Sequence, residues 1–353
     1  MKDGSEFVGD VFGAFSDAIG ELVFTTAMNG YVESFTDPSY KGQILVMTHP
    51  MIGNYGVPKP SYLNGILRNF ESERPTIEGL VVSKLTEDSK WSSAESLDAW
   101  LERHGVIGVQ GIDTRELTLK IREGGSMNAV VSVKKLGMKK LGELFSWRYG
   151  SEDLVGKAST DRVIDYGGNG KRLVVFDYGL KHGILENLYA RGFHLIRVPA
   201  RTSAEEALSY SPDGIVLTNG PGNPALLRSN VKEVAALLEY GVPTLGICLG
   251  HQLISMALGM EVKKMKFGHR AINKPVIDLK LKKAYITTHN HGYAVYDAEP
   301  VGNVKVRFVS PDDGIVEGLE GGSGKLLTTQ FHPEARPGTN DALFIFDEFG
   351  RMV

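Results

Sequence analysis

The sequence predicts an α/β protein: a C-terminal doubly wound, mainly parallel sheet with a nucleophile elbow, preceded by a smaller α+β N-terminal domain. Three observations predict it. The 353 residues exceed one ordinary core and suit two domains. Through the second half, short apolar runs alternate with amphipathic stretches, the pattern of strands covered on both faces by crossover helices. The 42 glycines stand well above the roughly 7% of average usage and imply many tight turns and close backbone approaches.

In chain order, the first half carries strand-like runs at 44–47 and 79–82 and helical patterns at 96–103 and 113–122, hence α+β. The Gly-rich segment 165–171 is unsuited to helix or strand and reads as a linker between domains at 1–164 and 171–353. Residues 173–176 form an apolar run fit for a doubly buried strand. Ile184, Leu185 and Leu188 then have helical spacing before Gly192. A strand is expected at 195–198, and Ser203 with Glu205 and Glu206 opens the next helix. The strand at 215–217 ends in the turn Asn219-Gly220-Pro221-Gly222-Asn223-Pro224. Val231, Val234, Ala235 and Leu238 mark a helix stopped by Gly241. The strand at 244–247 runs straight into Cys248 and a helix ending near Gly259. Beyond 260 short strands are expected at 284–288, 304–309, 314–319 and 325–330, with a last helix carrying Leu343, Phe346 and Phe349. In such sheets ligands gather at the carboxyl ends of the strands.

Composition narrows the partners. Lys plus Arg is 39 and Asp plus Glu is 42, a net charge of −3 with no basic block, so there is no electrostatic footprint for nucleic acid or an anionic membrane surface. No apolar run approaches the roughly 18 residues of a bilayer span. The first residues lack the apolar core of a secretory signal, and the expected compartment is the cytoplasm. Cys248 is the only cysteine, which excludes an internal disulfide and a thiolate zinc cage from this chain alone.

A lone cysteine is most often a small buried hydrophobe; its neighbours argue otherwise here. Gly246-Ile247-Cys248-Leu249-Gly250-His251-Gln252 lies where a strand meets a helix. Small residues on both sides let the backbone turn sharply and expose the thiol, and the helix N-terminus favours the thiolate. The Leu249 N–H is then a donor to a tetrahedral oxyanion, with a Gly222 N–H as the second. Such a nucleophile needs a base. His332 follows a predicted strand, and Glu334 lies two residues on, so both side chains leave extended backbone on one face and the carboxylate can orient the imidazole. The His-x-His pair His289 and His291 can chelate, but the local sequence offers no acid or cysteine to complete a shell. No metal is therefore expected, and 288–293 reads as a polar substrate-facing loop or a hairpin.

These motifs resemble the triad-type glutamine amidotransferases. In the first half, Met28-Asn29-Gly30-Tyr31, Thr36-Asp37-Pro38-Ser39-Tyr40, 50–56 and Gly111-Ile112-Asp113-Thr114-Arg115 resemble the N-terminal domain of the carbamoyl-phosphate synthase small-chain family, as do 267–270 and 290–293. The resemblance implies hydrolysis of L-glutamine through a Cys248–His332–Glu334 triad and a thioester. Ammonia would pass to a separate large chain that makes carbamoyl phosphate from bicarbonate and ATP, for pyrimidine and arginine synthesis. It places Ser39, Gly220, Gly222, Leu249, Gln252, Asn290, Gly292 and Tyr293 at glutamine-binding positions. No cofactor is implied in this chain; ATP and metal ions belong to the large chain, in a heterodimer able to assemble further. Two departures stand out. Only Met1-Lys2 precede Asp3-Gly4, where members carry an apolar strand, and His289 stands where the family more often has Gln. The competing readings are a glutaminase subunit of a different ammonia-using synthase, a non-catalytic regulatory subunit and a cysteine peptidase. The first-half motifs argue against the first, the intact triad against the second, and release of ammonia from free glutamine separates the third.

Overall fold

In the computed structural model, which describes residues 1–296 and 302–353, the chain builds two principal sheets. The first contains β1 (Asp10–Gly13), β2 (Ala18–Thr25), β3 (Gln43–Met47), β4 (Gly79–Val81), β5 (Ile107–Gln110) and β6 (Met127–Val131). Their order is β1-β5-β4-β3-β2-β6, with the four central strands parallel and both outer pairings antiparallel. Helices α1 (Leu97–Arg103) and α2 (Thr114–Gly124) cover opposite faces. Alternation along β3 decides which residue meets which helix: Leu45 and Met47 pack with Trp100 and Leu101, whereas Ile44 and Val46 pack with Leu117 and Ile121. Ser96 Oγ and Asp113 Oδ1 cap these helices by accepting from the N–H groups of Ala99 and Glu116.

The second sheet is built from β7 (Ile164–Gly167), β8 (Arg172–Asp177), α3 (His182–Ala190), β9 (His194–Pro199), α4 (Ala204–Ser209), β10 (Gly214–Leu217), α5 (Arg228–Tyr240), β11 (Thr244–Ile247), α6 (Leu249–Ala257), β12 (Val262–Asp278), β13 (Lys283–Val295), β14 (Lys305–Val309), β15 (Val316–Gly321), β16 (Leu326–Thr329) and α7 (Phe344–Met352). The strand order is β7-β9-β8-β10-β11-β16-β15-β13-β12-β14, and β15 also pairs with β14. Strands β9, β8, β10, β11 and β16 are parallel neighbours. One face packs Val174, Phe176, Ile215 and Leu217 against α4, α5 and α6; the other packs Leu173, Val175, Val216 and Leu245 against α3 and α7. Each such fully buried side chain contributes roughly 1.5–3 kcal/mol. Among the described residues no helix is long and apolar enough to cross a membrane.

Two expectations are corrected. Segment 165–171 is not wholly irregular, because Ile164–Gly167 pairs antiparallel with β9 and extends the second sheet by one edge strand. The strand expected to end at 288 runs on to Val295, so of the two readings of 288–293 the hairpin holds and the loop does not: β13 is held by its long antiparallel pairing with β12.

Candidate active site

Strand β11 delivers Cys248 to the N-terminus of α6 in a conformation L-residues rarely adopt, φ 53° and ψ −100°. The surroundings fix it. The Cys248 N–H donates to Thr329 O at 2.7 Å and the Gly250 N–H to Thr218 O at 3.0 Å. A Cβ on Gly250 would lie 2.1 Å from the Leu217 carbonyl oxygen, and one on Gly246 2.5 Å from Ile254 Cδ1. The flanking glycines are thus required by the close crossing of strand and helix. Leu249 opens α6, so its N–H is among those with no partner inside the helix. The thiol accepts from Gln330 Nε2 at 3.5 Å and faces the Asn290 carbonyl at 3.9 Å.

His332 follows β16 and is pinned through its own N–H to Thr288 O at 2.8 Å. Its Nδ1 meets Glu334 Oε1 at 2.7 Å, both side chains being wholly buried. The other nitrogen, Nε2, has no conventional hydrogen-bond partner and interacts with Cys248. Burial opposes a charge on His332, but the Glu334 carboxylate outweighs it and lifts the imidazole to about 10. Burial likewise pushes Glu334 up, yet Lys181 and His332 together pull it down to about 2. Lys181 is a participant the sequence reading missed. Its ammonium is 1% exposed, lies 3.0 Å from Glu334 Oε1 and donates to Ala335 O at 2.7 Å.

A cavity opens beside the thiol, lined by Ser39, Gly220, Gly222, Gln252, Asn290, Gly292 and Tyr293 as well as Cys248. Seven of the eight residues assigned to glutamine binding by resemblance therefore share one wall; the eighth, Leu249, adjoins Cys248 in the chain. Strand β13 supplies Asn290, Gly292 and Tyr293, and α6 supplies Gln252, whose Nε2 donates to Tyr293 O and Gln330 Oε1. Ser39 comes from the first half on the short turn Pro38–Tyr40 and accepts from Asn219 Nδ2 at 2.9 Å. The neighbouring Asp37 accepts from Asn290 Nδ2 at 2.8 Å. His291, Gln43, Tyr149 and Arg270 complete the lining; none of them was assigned to glutamine binding from sequence, although Arg270 lies in the 267–270 motif, and only the fold brings Gln43 and Tyr149 to Cys248. The Gly222 N–H, expected as an oxyanion donor, donates to the Tyr149 hydroxyl at 2.9 Å.

The His-x-His pair needs a second correction. Its missing acid is supplied by the fold: Glu317 on β15 and His269 on β12 join His289 and His291, all four buried and with candidate ligand atoms within 4.8 Å of one another.

Two family models match the chain: "Carbamoyl-phosphate synthase small chain, CPSase domain" over residues 1–131 and "Glutamine amidotransferase class-I" over 174–352. Full-length relatives, each named carbamoyl phosphate synthase small chain, include those of Metallosphaera sedula and Sulfolobus acidocaldarius, both 52% identical, and Saccharolobus solfataricus, 50% identical. In each case the match spans 100% of this chain and 95–96% of the relative. By sequence across both halves, the chain belongs to the carbamoyl-phosphate synthase small-chain family, with a class-I glutamine amidotransferase domain as its second half.

Proposed function

We propose that this chain hydrolyses L-glutamine and delivers the ammonia to a large chain that makes carbamoyl phosphate from bicarbonate and ATP, in pyrimidine and arginine synthesis. The convergence of His332 and Glu334 on Cys248, which lines the cavity with Ser39 and Tyr293, carries this reading.

The Cys248 sulfur attacks the side-chain amide carbon of glutamine. The oxyanion is met by the Leu249 N–H at the start of α6, and by the Gly222 N–H once the Tyr149 hydroxyl releases it. His332, kept in its tautomer by Glu334, holds the proton taken from the thiol and returns it to the departing nitrogen. Ammonia leaves and a thioester remains. Water, deprotonated by His332, then attacks the thioester; glutamate departs and the thiol is restored. The balance is glutamine plus water to glutamate plus ammonia. Lys181 is a positioning residue that keeps Glu334 ionised inside the protein. Arg270, whose Nε has no partner, presents the cation that suits the α-carboxylate of the substrate.

The test is Cys248→Ser in the complex with the large chain. Glutamine-dependent carbamoyl phosphate formation is expected to vanish while ammonia-dependent formation persists. Wild-type glutamine-dependent turnover in the variant would remove the nucleophile from this scheme.

A further inference from the structure

We propose that His269, His289, His291 and Glu317 form a closed structural site for a divalent transition metal ion, with zinc the best fit, clamping β12, β13 and β15 together behind the cavity wall.

The hydrogen bonds leave four lone pairs facing one another. Thr287 Oγ1 donates to Lys274 O, so at 2.8 Å it accepts from His289 Nε2 and leaves His289 Nδ1 bare. His291 Nδ1 meets the Tyr293 carbonyl at 2.9 Å and must donate there, leaving Nε2 bare. His269 Nε2 lies 2.9 Å from Asp313 Oδ2, and its Nδ1 has no partner. Both oxygens of Glu317, a residue with no exposed surface, also lack a donor. Yet the bare His289 Nδ1 and His291 Nε2 stand only 3.3 Å apart, and Glu317 oxygens lie 3.6 Å from both His269 Nδ1 and His289 Nδ1. Four acceptors held this close inside a protein are stabilised by a positive charge placed between them.

A metal ion serves well. Zinc bonds of about 2.0–2.2 Å place tetrahedral ligands roughly 3.3–3.6 Å apart, the spacing of His289 Nδ1 to His291 Nε2 and of the two Glu317 oxygens to His269 Nδ1 and His289 Nδ1. Each imidazole donates its outer nitrogen to an oxygen, the arrangement that orients ligating histidines. Glu317 and the outer Asp313 together balance a dication. Three nitrogen donors disfavour magnesium and calcium. Four protein ligands leave a tetrahedral ion no open position, which points to a structural rather than a hydrolytic role. This inference does not depend on the glutaminase reading.

The test uses the full chain produced with ample zinc and passed through a desalting column with a weak chelator. Elemental analysis is expected to find about one zinc per chain, and cobalt(II) put in its place should show the intense visible bands of a tetrahedral site. Removal of the ion by a strong chelator should lower the melting temperature by about 5 °C or more. His289→Gln, which installs the residue usual in the family, and Glu317→Gln should each retain under about a tenth of an equivalent. Wild-type chain that takes up no stoichiometric zinc overturns the site, as does zinc bound equally by both variants.

Discussion

At the scale of the residue, the charges around Glu334 decide the behaviour of His332. Burial and Lys181 both work against an imidazolium, and the 2.7 Å contact to Glu334 is what reverses them. His332 is raised, so its share of stability is complete below its ordinary 6.5 and is lost as pH climbs through about 10. Glu334 is lowered, so its share is complete above 4.5 and is lost as pH falls through about 2. With Glu334→Gln the imidazole should titrate below 6.5 instead of near 10, read from the ring nitrogens by NMR across pH. A midpoint that stays near 10 would show that the carboxylate is not the cause. His332 and Glu334 were legible because extended backbone puts residues two apart on one face, and Cys248 because its flanking glycines are local. Lys181 was not: nothing near it in sequence announces a carboxylate delivered from the far end of the second half.

At the scale of the element, the strand–Cys248–helix crossing depends on an approach that a single methyl would close. Gly250→Ala places a carbon 2.1 Å from a backbone oxygen of β10, which cannot swing aside as a side chain would. The expected result is a loss of roughly 1–3 kcal/mol in urea unfolding together with reduced glutamate release. Gly142→Ala, in the exposed helix Met138–Phe145 with nothing within 4 Å of the new carbon, should be neutral or stabilising. Equal stability of the two variants would refute the tight crossing. The alternating apolar runs of β8 to β11 made that half of the sheet readable. Strand β12 was hidden because Lys263, Lys264, Lys266, His269 and Arg270 break its apolar pattern, and the reach of β13 through 289–293 because those residues serve polar contacts rather than packing. Their strand character comes from pairing with each other, which no local window contains.

At the scale of the whole molecule, the first half closes the cavity of the second. Ser39 is tied to Asn219 at 2.9 Å, Asp37 to Asn290 at 2.8 Å, Glu71 to Arg336 at 2.6 Å and Tyr149 to Gly222 at 2.9 Å. Such long-range ties are invisible to spacing, and Ser39 was reached only through resemblance. The Tyr149 contact occupies an N–H that the reaction would use, so the chain alone should be a slow glutaminase that the large chain accelerates. Tyr149→Phe should then raise glutamate formation by the chain alone, up to about 10²-fold, the worth of one oxyanion donor. Unchanged or slower formation at saturating glutamine would overturn this. The four ties also bear on what the peptide link itself contributes. Residues 168–171 are exposed, while polar bonds join the halves both at the reaction centre and beyond it, as between Arg68 and Glu186 and between Lys264 and Glu21. A chain split within that stretch would leave two fragments with complementary surfaces for reassembly, whereas neither fragment transplanted alone brings a complete substrate pocket.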